Sequence, residues 1–313
     1  ELDTPLAFTE TWNAAPNTFE AAVLVNQDLP DTTIVAAYVG KGNGNYSTTV
    51  DADGKFSLGY MRTSTLNKGE SNAGAYTLGF VNKSVPNLTV HPVYYNVQDA
   101  VHAYWVDAAY QIPSIAKIEA QYAHIDTVGA TEKTLKDLGI EDRTTDGYGF
   151  KVSGNVAGFD LSAAYARVNK GVVAIANTAT YNGGIASGRK TKMYTATIAS
   201  DGAYAGAADS TSWKLGVGYD IAGFKLGADY GQYKLGKDSM FAGNVTNNGN
   251  ADSFTTKELD LSVSTKIDEI NVAAYYIKQN DFVSDITYGA NTLMNGGVLR
   301  DRDIVRVIAT INF

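Results

Sequence analysis

The chain contains no cysteine, which removes disulfide frameworks, thiolate zinc sites and thiol nucleophiles from consideration. An exported protein without disulfides fits that absence, and so does a cytosolic one. Proline is scarce at 6 residues, too few for a disordered linker protein. Basic residues do not outnumber acidic ones: 25 against 33 gives a formal net charge of −8. No cationic surplus is left to neutralise phosphates, which argues against a nucleic-acid partner. No apolar run of about 18 residues exists to cross a bilayer as a helix. That does not exclude a membrane, because a barrel strand needs apolar residues on its lipid face alone. Nor does Glu1-Leu2-Asp3-Thr4 carry the basic and apolar regions of a signal peptide. The numbering is therefore expected to open in mature protein, or partway through it.

What is present is tyrosine, 20 residues against 11 phenylalanines and 3 tryptophans, together with 31 glycines. At 313 residues there is room for one large domain or two ordinary ones. The dominant pattern is alternation with period two. In Trp213–Asp220, Trp213, Leu215, Val217 and Tyr219 share one face, and Lys214, Gly216, Gly218 and Asp220 the other. After the short turn Ile221-Ala222-Gly223, Phe224, Leu226, Ala228 and Tyr230 alternate with Lys225, Gly227, Asp229 and Gly231. This is a hairpin. The same reading covers Ile118–Tyr122, Tyr148–Val152, Phe159–Tyr165, Leu259–Val263 and Ile270–Tyr276. Aromatics often end the apolar series (Trp213/Tyr219, Phe224/Tyr230, Phe159/Tyr165), where the interfacial girdles of a membrane barrel belong.

About thirteen such segments are predicted, each roughly nine to twelve residues, the length that spans a bilayer when tilted. They start near residues 18, 31, 74, 87, 100, 115, 147, 158, 211, 223, 254, 269 and 303. Short turns alternate with long polar links at 41–73, 126–145, 170–209, 236–253 and 281–301, predicted as extracellular loops. The exception is Gln98-Asp99, a tight link where a long loop is due. A soluble β-sandwich also alternates, but its strands usually run about five or six residues, without a strict short–long phase. The fold class expected is thus all-β, a transmembrane antiparallel β-barrel. Val305, Val307, Ala309, Ile311 and Phe313 close the chain as an alternating apolar series ending in phenylalanine, a finish typical of outer-membrane proteins. Thirteen is odd, whereas single-chain bacterial barrels are even, and an open sheet would leave edges that lipid does not tolerate. Further strands are therefore expected upstream.

The opening stretch, Leu2-Asp3-Thr4-Pro5-Leu6 through Trp12 to Pro16–Val23, resembles the segment leading out of the third loop in OprD-like porins. The nearest likeness is to the major outer-membrane porins of the campylobacter group. Ala103–Tyr110 is similar to theirs as well; elsewhere the likeness is loose. The resemblance implies an eighteen-stranded barrel in the outer membrane of a Gram-negative bacterium, a third loop folded into the lumen and three barrels per assembly. Lipid bilayer and lipopolysaccharide would surround it. Residues 1–17 would then end the constriction loop, residues 18–313 would form strands six to eighteen, and five strands would be absent.

For a porin, function lies in the charge and width of the lumen. The candidate pore-lining residues are Lys117, Glu119, Lys151, Asp160, Lys214, Asp220, Lys225, Asp229, Glu258, Asp260 and Arg306, each beside an apolar neighbour on its strand. Asp3, Glu10 and Glu20 are expected to add negative charge at the constriction. With the acidic total, a weak cation preference is expected for ions and small hydrophilic solutes. For any one of these residues, being a plain solvated part of a wet wall is an equal expectation. Asp51-Ala52-Asp53-Gly54 resembles the start of a calcium loop but lacks the remaining oxygen ligands and the terminal Glu. At most, acidic loops bind calcium weakly; no other cofactor is indicated. Gly40–Asn45 lacks the P-loop spacing. His91, His102 and His124 fall on three predicted strands with no carboxylate or cysteine completing a set, so they read as wall residues. Thr131–Leu138 fits a helical turn or two within a loop. No nucleophile elbow or His-Glu-x-x-His pair occurs, and no enzyme is expected. An outer-membrane barrel adhesin or enzyme, or a soluble or surface-layer β-sheet binding protein, is the alternative.

Overall fold

A computed structural model describes residues 3–9, 19–42, 74–98, 100–137, 139–141, 143–177, 190–200, 204–236, 253–283 and 299–311. They form thirteen strands and one helix. The strands are β1 (Phe19–Asn26), β2 (Thr32–Gly42), β3 (Ala75–Asn82), β4 (Leu88–Val97), β5 (Val101–Ile112), β6 (Ala116–Thr127), β7 (Thr144–Val156), β8 (Phe159–Val168), β9 (Ser210–Ile221), β10 (Phe224–Gly236), β11 (Ser253–Ile267), β12 (Ile270–Val283) and β13 (Leu299–Ile311). Helix α1 (Gly129–Asp137) lies between β6 and β7. Every strand pairs antiparallel with its sequence neighbour, in the order β1 to β13. The sheet is a continuous meander, and β1 and β13 do not pair with each other among the described residues.

The faces are sorted as the alternation predicts. Tyr148, Phe150 and Val152 of β7 are exposed, as are Leu161 of β8, Leu215 and Val217 of β9, Leu261 and Val263 of β11, and Val305 and Val307 of β13. A soluble sandwich buries this set between two sheets. Here it coats one side of a single sheet, and Val305 remains 76% exposed. Cross-strand pairing gathers the aromatics near the two ends of that face. Trp213 meets Tyr230 at 5.5 Å between ring centroids on the loop side, and Phe159 stacks on Tyr219 at 4.7 Å on the turn side. A positive charge placed between these lines tests the assignment. Ala228→Arg should cost about 2–4 kcal/mol of stability in lipid, the midplane cost for an outward cation. Ser262→Arg, on the opposite face, should cost little. Denaturant titration of liposome-folded protein measures both.

The short connections owe their tightness to left-handed backbone. Ala157 and Gly158 have φ of 52° and 89°, and Ala222 and Gly223 have 51° and 83°. Both central residues of each turn are left-handed, the geometry that matches strand twist in a two-residue hairpin. Glycine takes it freely, whereas alanine does not. Ala222→Asn should therefore stabilise the β9–β10 hairpin by about 0.5–1 kcal/mol, read as a shift in the urea midpoint.

Eleven strands begin within one residue of the expected position. The two misses share a cause. β7 begins at Thr144 and β13 at Leu299, where Thr144-Thr145-Asp146 and Arg300-Asp301-Arg302 add polar turns of ladder beyond the apolar series. Backbone pairing needs no hydrophobic side chain, so periodicity does not mark these ends. The tight link after β4 leaves β5 starting at Val101, and the Ala100 carbonyl accepts the Val128 amide at 2.9 Å. In α1, Lys136 sits in the last turn and Glu132 in the first, each suited to the helix dipole. Hydrogen bonding from Lys136, with Arg143 beside it, holds the Glu132 carboxyl below its ordinary range.

Candidate functional site

The other face of the sheet is apolar over the loop-side ends of β4–β6 and carries charged side chains toward β13, where two cavities border it. The larger, about 1180 Å³, runs from Phe8, Thr9 and Lys190 to the turn-side half of β9–β13, where Asp220, Lys225 and Lys266 stand. The second, about 700 Å³, lies over β6–β11 and is lined by Lys117, Lys151, Asp160, Lys225 and Asp229 above a floor of serine and glycine. Six of the candidate wall residues therefore line open space, and Lys225 lines both cavities. Glu119 is set back among Lys117 at 2.6 Å and Lys151 at 3.2 Å, an ion-paired cluster rather than a lone wall charge. Arg306 stands opposite Tyr275 on the same face of β13.

Chain segments fold onto this face from the loop side. Residues 3–9 lie against β4, where the Leu6 amide donates to the Tyr95 hydroxyl at 3.2 Å. Asn177 grips both peptide groups of Phe8: its carboxamide oxygen accepts the amide at 3.0 Å and its nitrogen donates to the carbonyl at 2.8 Å. Asp3 pairs with Lys192, whose ammonium lies 5.0 Å from the centre of the Phe8 ring. The link between β8 and β9, expected as an extracellular loop, packs its described residues 190–200 and 204–208 against the inner wall. Leu6, Ile175, Met193 and Tyr204 join Val93, Tyr95 and Trp105 in a buried apolar cluster. Gly147 leaves room for this approach: a Cβ there would meet the tip of the Ile175 side chain, which would have to shift.

Polar tethers hold residues 195–200 in place. The Ile198 amide donates to Asp260 at 2.8 Å and the Ala199 amide to Glu258 at 2.7 Å. Lys214 donates to the Ala196 carbonyl at 2.7 Å. The Tyr233 hydroxyl donates to the Thr195 carbonyl at 2.7 Å and also meets the Thr197 hydroxyl. Gln279 spans Ser200 and Glu258, both at 2.9 Å. The expectation that Glu258 and Asp260 line open space is thus corrected: covered by the infolded segment, they are 0% and 3% exposed. Lys214 is likewise an anchor. Glu20 belongs to β1, opposite Lys41, and not to the inward segment. Glu10 lies outside the described residues, as do Asp51–Gly54, Asn43–Asn45 and Phe313.

Two histidines, expected as plain wall residues, each pair with a carboxylate on a neighbouring strand. His91 and Asp107 are 3.1 Å apart on the inner face, where the Trp105 indole also donates to Asp107. His124 and Asp146 are 2.8 Å apart on the outer face, with the Tyr122 hydroxyl donating to the same carboxylate. The pairs stay separate, and no group of three or more metal-ligating side chains forms among the described residues.

A long antiparallel meander, apolar outside between aromatic lines and polar inside, with chain folded against its inner wall, has the architecture of a β-barrel porin. Solved structures agree. OccK10 (OpdN) of Pseudomonas aeruginosa superposes with a TM-score of 0.68 at 12% identity, over 100% of this chain and 77% of that one. OccK8 (OprE) of the same organism gives 0.65 at 15% identity, over 99% and 76%. OccK3 (OpdO) gives 0.64 at 13%, over 98% and 74%. These neighbours are outer-membrane porins of the OprD family. No protein-family model and no curated protein matches the sequence.

Proposed function

We propose that this protein is an outer-membrane porin, a passive diffusion channel for ions and small hydrophilic solutes. The observation that carries the reading is the sorting of one sheet into an apolar exposed side and a charged side with open cavities. In lipid that arrangement satisfies the backbone through the ladder and leaves water beside the charges. The inward segments narrow the passage, so solutes cross beside Lys225, Asp229 and Asp160. The expected weak cation preference rests on the acidic total and on Asp3, Glu10 and Glu20, of which Asp3 is paired with Lys192 and Glu20 belongs to β1. Among the described residues the two cavities hold five lysines (117, 151, 190, 225, 266) and three aspartates (160, 220, 229). The resemblance of the opening stretch to OprD-like porins adds to this proposal three barrels per assembly, with lipopolysaccharide around them; the mass of the detergent-extracted complex reads the number.

Planar-bilayer recording tests the channel directly. A porin gives stepwise, long-lived currents that scale with salt. An adhesin or a barrel enzyme gives none, and a soluble sheet protein does not insert at all.

A further inference from the structure

Three lysines on the outward face have no hydrogen bond or ion pair with any described residue: Lys234 of β10, Lys257 of β11 and Lys278 of β12. Their direction is fixed by their neighbours. Tyr233 and Leu235, Thr256 and Glu258, and Ile277 and Gln279 are each fully buried on the inner side, so the lysines between them point outward. Lys234 is opposite Thr255, two residues from Lys257; Lys257 is opposite Asn280, two residues from Lys278. The three are diagonal neighbours, each step about 7–8 Å, and the row spans on the order of 15 Å. Trp213 and Tyr230 are related by a step of the same sense, Trp213 being opposite Gln232. In a tilted barrel such a diagonal follows one membrane depth. The lysine row thus runs parallel to the aromatic line, on its loop side.

A row of like charges at that depth calls for anions between them. Two other outward basic residues near this margin have partners within the chain: Arg167 has Asp209 at 3.2 Å and His124 has Asp146 at 2.8 Å. Directly opposite Lys278 stands Asp303, whose carboxylate already accepts the Tyr276 hydroxyl at 2.7 Å. Lysine stems lie along apolar surface while their ammonium groups reach the headgroup layer. On the loop side of an outer-membrane barrel that layer is phosphorylated glycolipid.

We infer that Lys234, Lys257 and Lys278 form a docking row for the bisphosphorylated sugar headgroup of an outer-leaflet glycolipid of the lipid A type. Two phosphates set apart on a disaccharide match three cations spread along a line better than the single phosphate of a glycerophospholipid. The inference rests on the channel reading for which side meets lipid and which end faces outward.

Native mass spectrometry of the detergent-solubilised protein provides the test, with bisphosphorylated lipid A, dephosphorylated lipid A and phosphatidylglycerol as probes. The intact protein should retain lipid A selectively. The triple variant Lys234→Gln, Lys257→Gln, Lys278→Gln should lose roughly a hundredfold in affinity, and Lys257→Gln alone about fivefold, at about 1 kcal/mol for each cation at an anionic surface. Heat-modifiable migration on gels verifies that each variant folds. Equal retention by the triple variant overturns the inference. So does equal binding of the dephosphorylated lipid or of phosphatidylglycerol. Conductance of the same preparations reads the channel proposal separately: currents with no selective lipid binding remove this site alone, and lipid binding with no current removes the channel.

Discussion

Replacing both Glu258 and Asp260 with alanine is expected to raise single-channel conductance roughly twofold, with noisier open-state current and an unchanged strand ladder. The two carboxyl groups accept the Ala199 and Ile198 amides, and a typical intramolecular hydrogen bond contributes about 0.5–1.5 kcal/mol. Losing two such bonds is enough to move a segment held by a few kcal/mol from almost always seated to often released. The change is confined to the polar face, because Glu258 and Asp260 point away from lipid and β11 stays paired with β10 and β12 through its backbone. Release is incomplete, since Tyr233, Lys214 and the apolar contacts of Met193 and Tyr204 remain. Asp260→Asn alone, which keeps an acceptor oxygen, should change conductance little. An unaltered conductance in the double variant would mean that residues 195–200 do not narrow the passage.

Lys225→Glu should shift the permeability ratio toward cations by about two- to threefold, seen as a change in reversal potential across a salt gradient. Lys225 stands beside Asp220 in β9 and lines both cavities, so reversal exchanges a mixed pair for two adjacent anions on the solute path. The shift should be largest in dilute salt. Fields reach about 30 Å at 0.01 M and only about 3 Å at 1 M, so concentrated electrolyte screens the wall. Lys214→Glu provides the contrast. Its ammonium holds the Ala196 carbonyl, and a carboxylate there cannot donate and would repel its acidic surroundings. That variant should disturb the inward segment more than ion choice.

The strands were legible in the sequence because a sheet wet on one side and greasy on the other imposes period two on its side chains. The Trp213–Tyr230 hairpin shows this well: turn, faces and aromatic ends all follow from the residues. The inward packing of the β8–β9 link leaves only an indirect signature. In Val93-Tyr94-Tyr95 and Ala103-Tyr104-Trp105 both faces of the strand are apolar, as in a strand buried on both sides. Tyr94 and Tyr104 meet each other outside at 5.1 Å, while Val93, Tyr95 and Trp105 are covered inside by the infolded segments. Asn177, Tyr233 and Gln279 carried no such mark. Their roles depend on which distant backbone groups a loop brings to them, and alternation is silent about that. The same limit hid the anchoring role of Glu258 and Asp260, whose parity says inward without saying wet or covered.

Because the chain has no cysteine, thiol accessibility along β10 can test the two-faced wall one residue at a time. Single cysteines replacing residues 224–230 would be exposed to a membrane-impermeant thiol reagent in reconstituted vesicles. Lys225→Cys, Gly227→Cys and Asp229→Cys should react, while Leu226→Cys and Ala228→Cys, held in hydrocarbon, should not. Uniform labelling, or the opposite alternation, would contradict the two-faced wall.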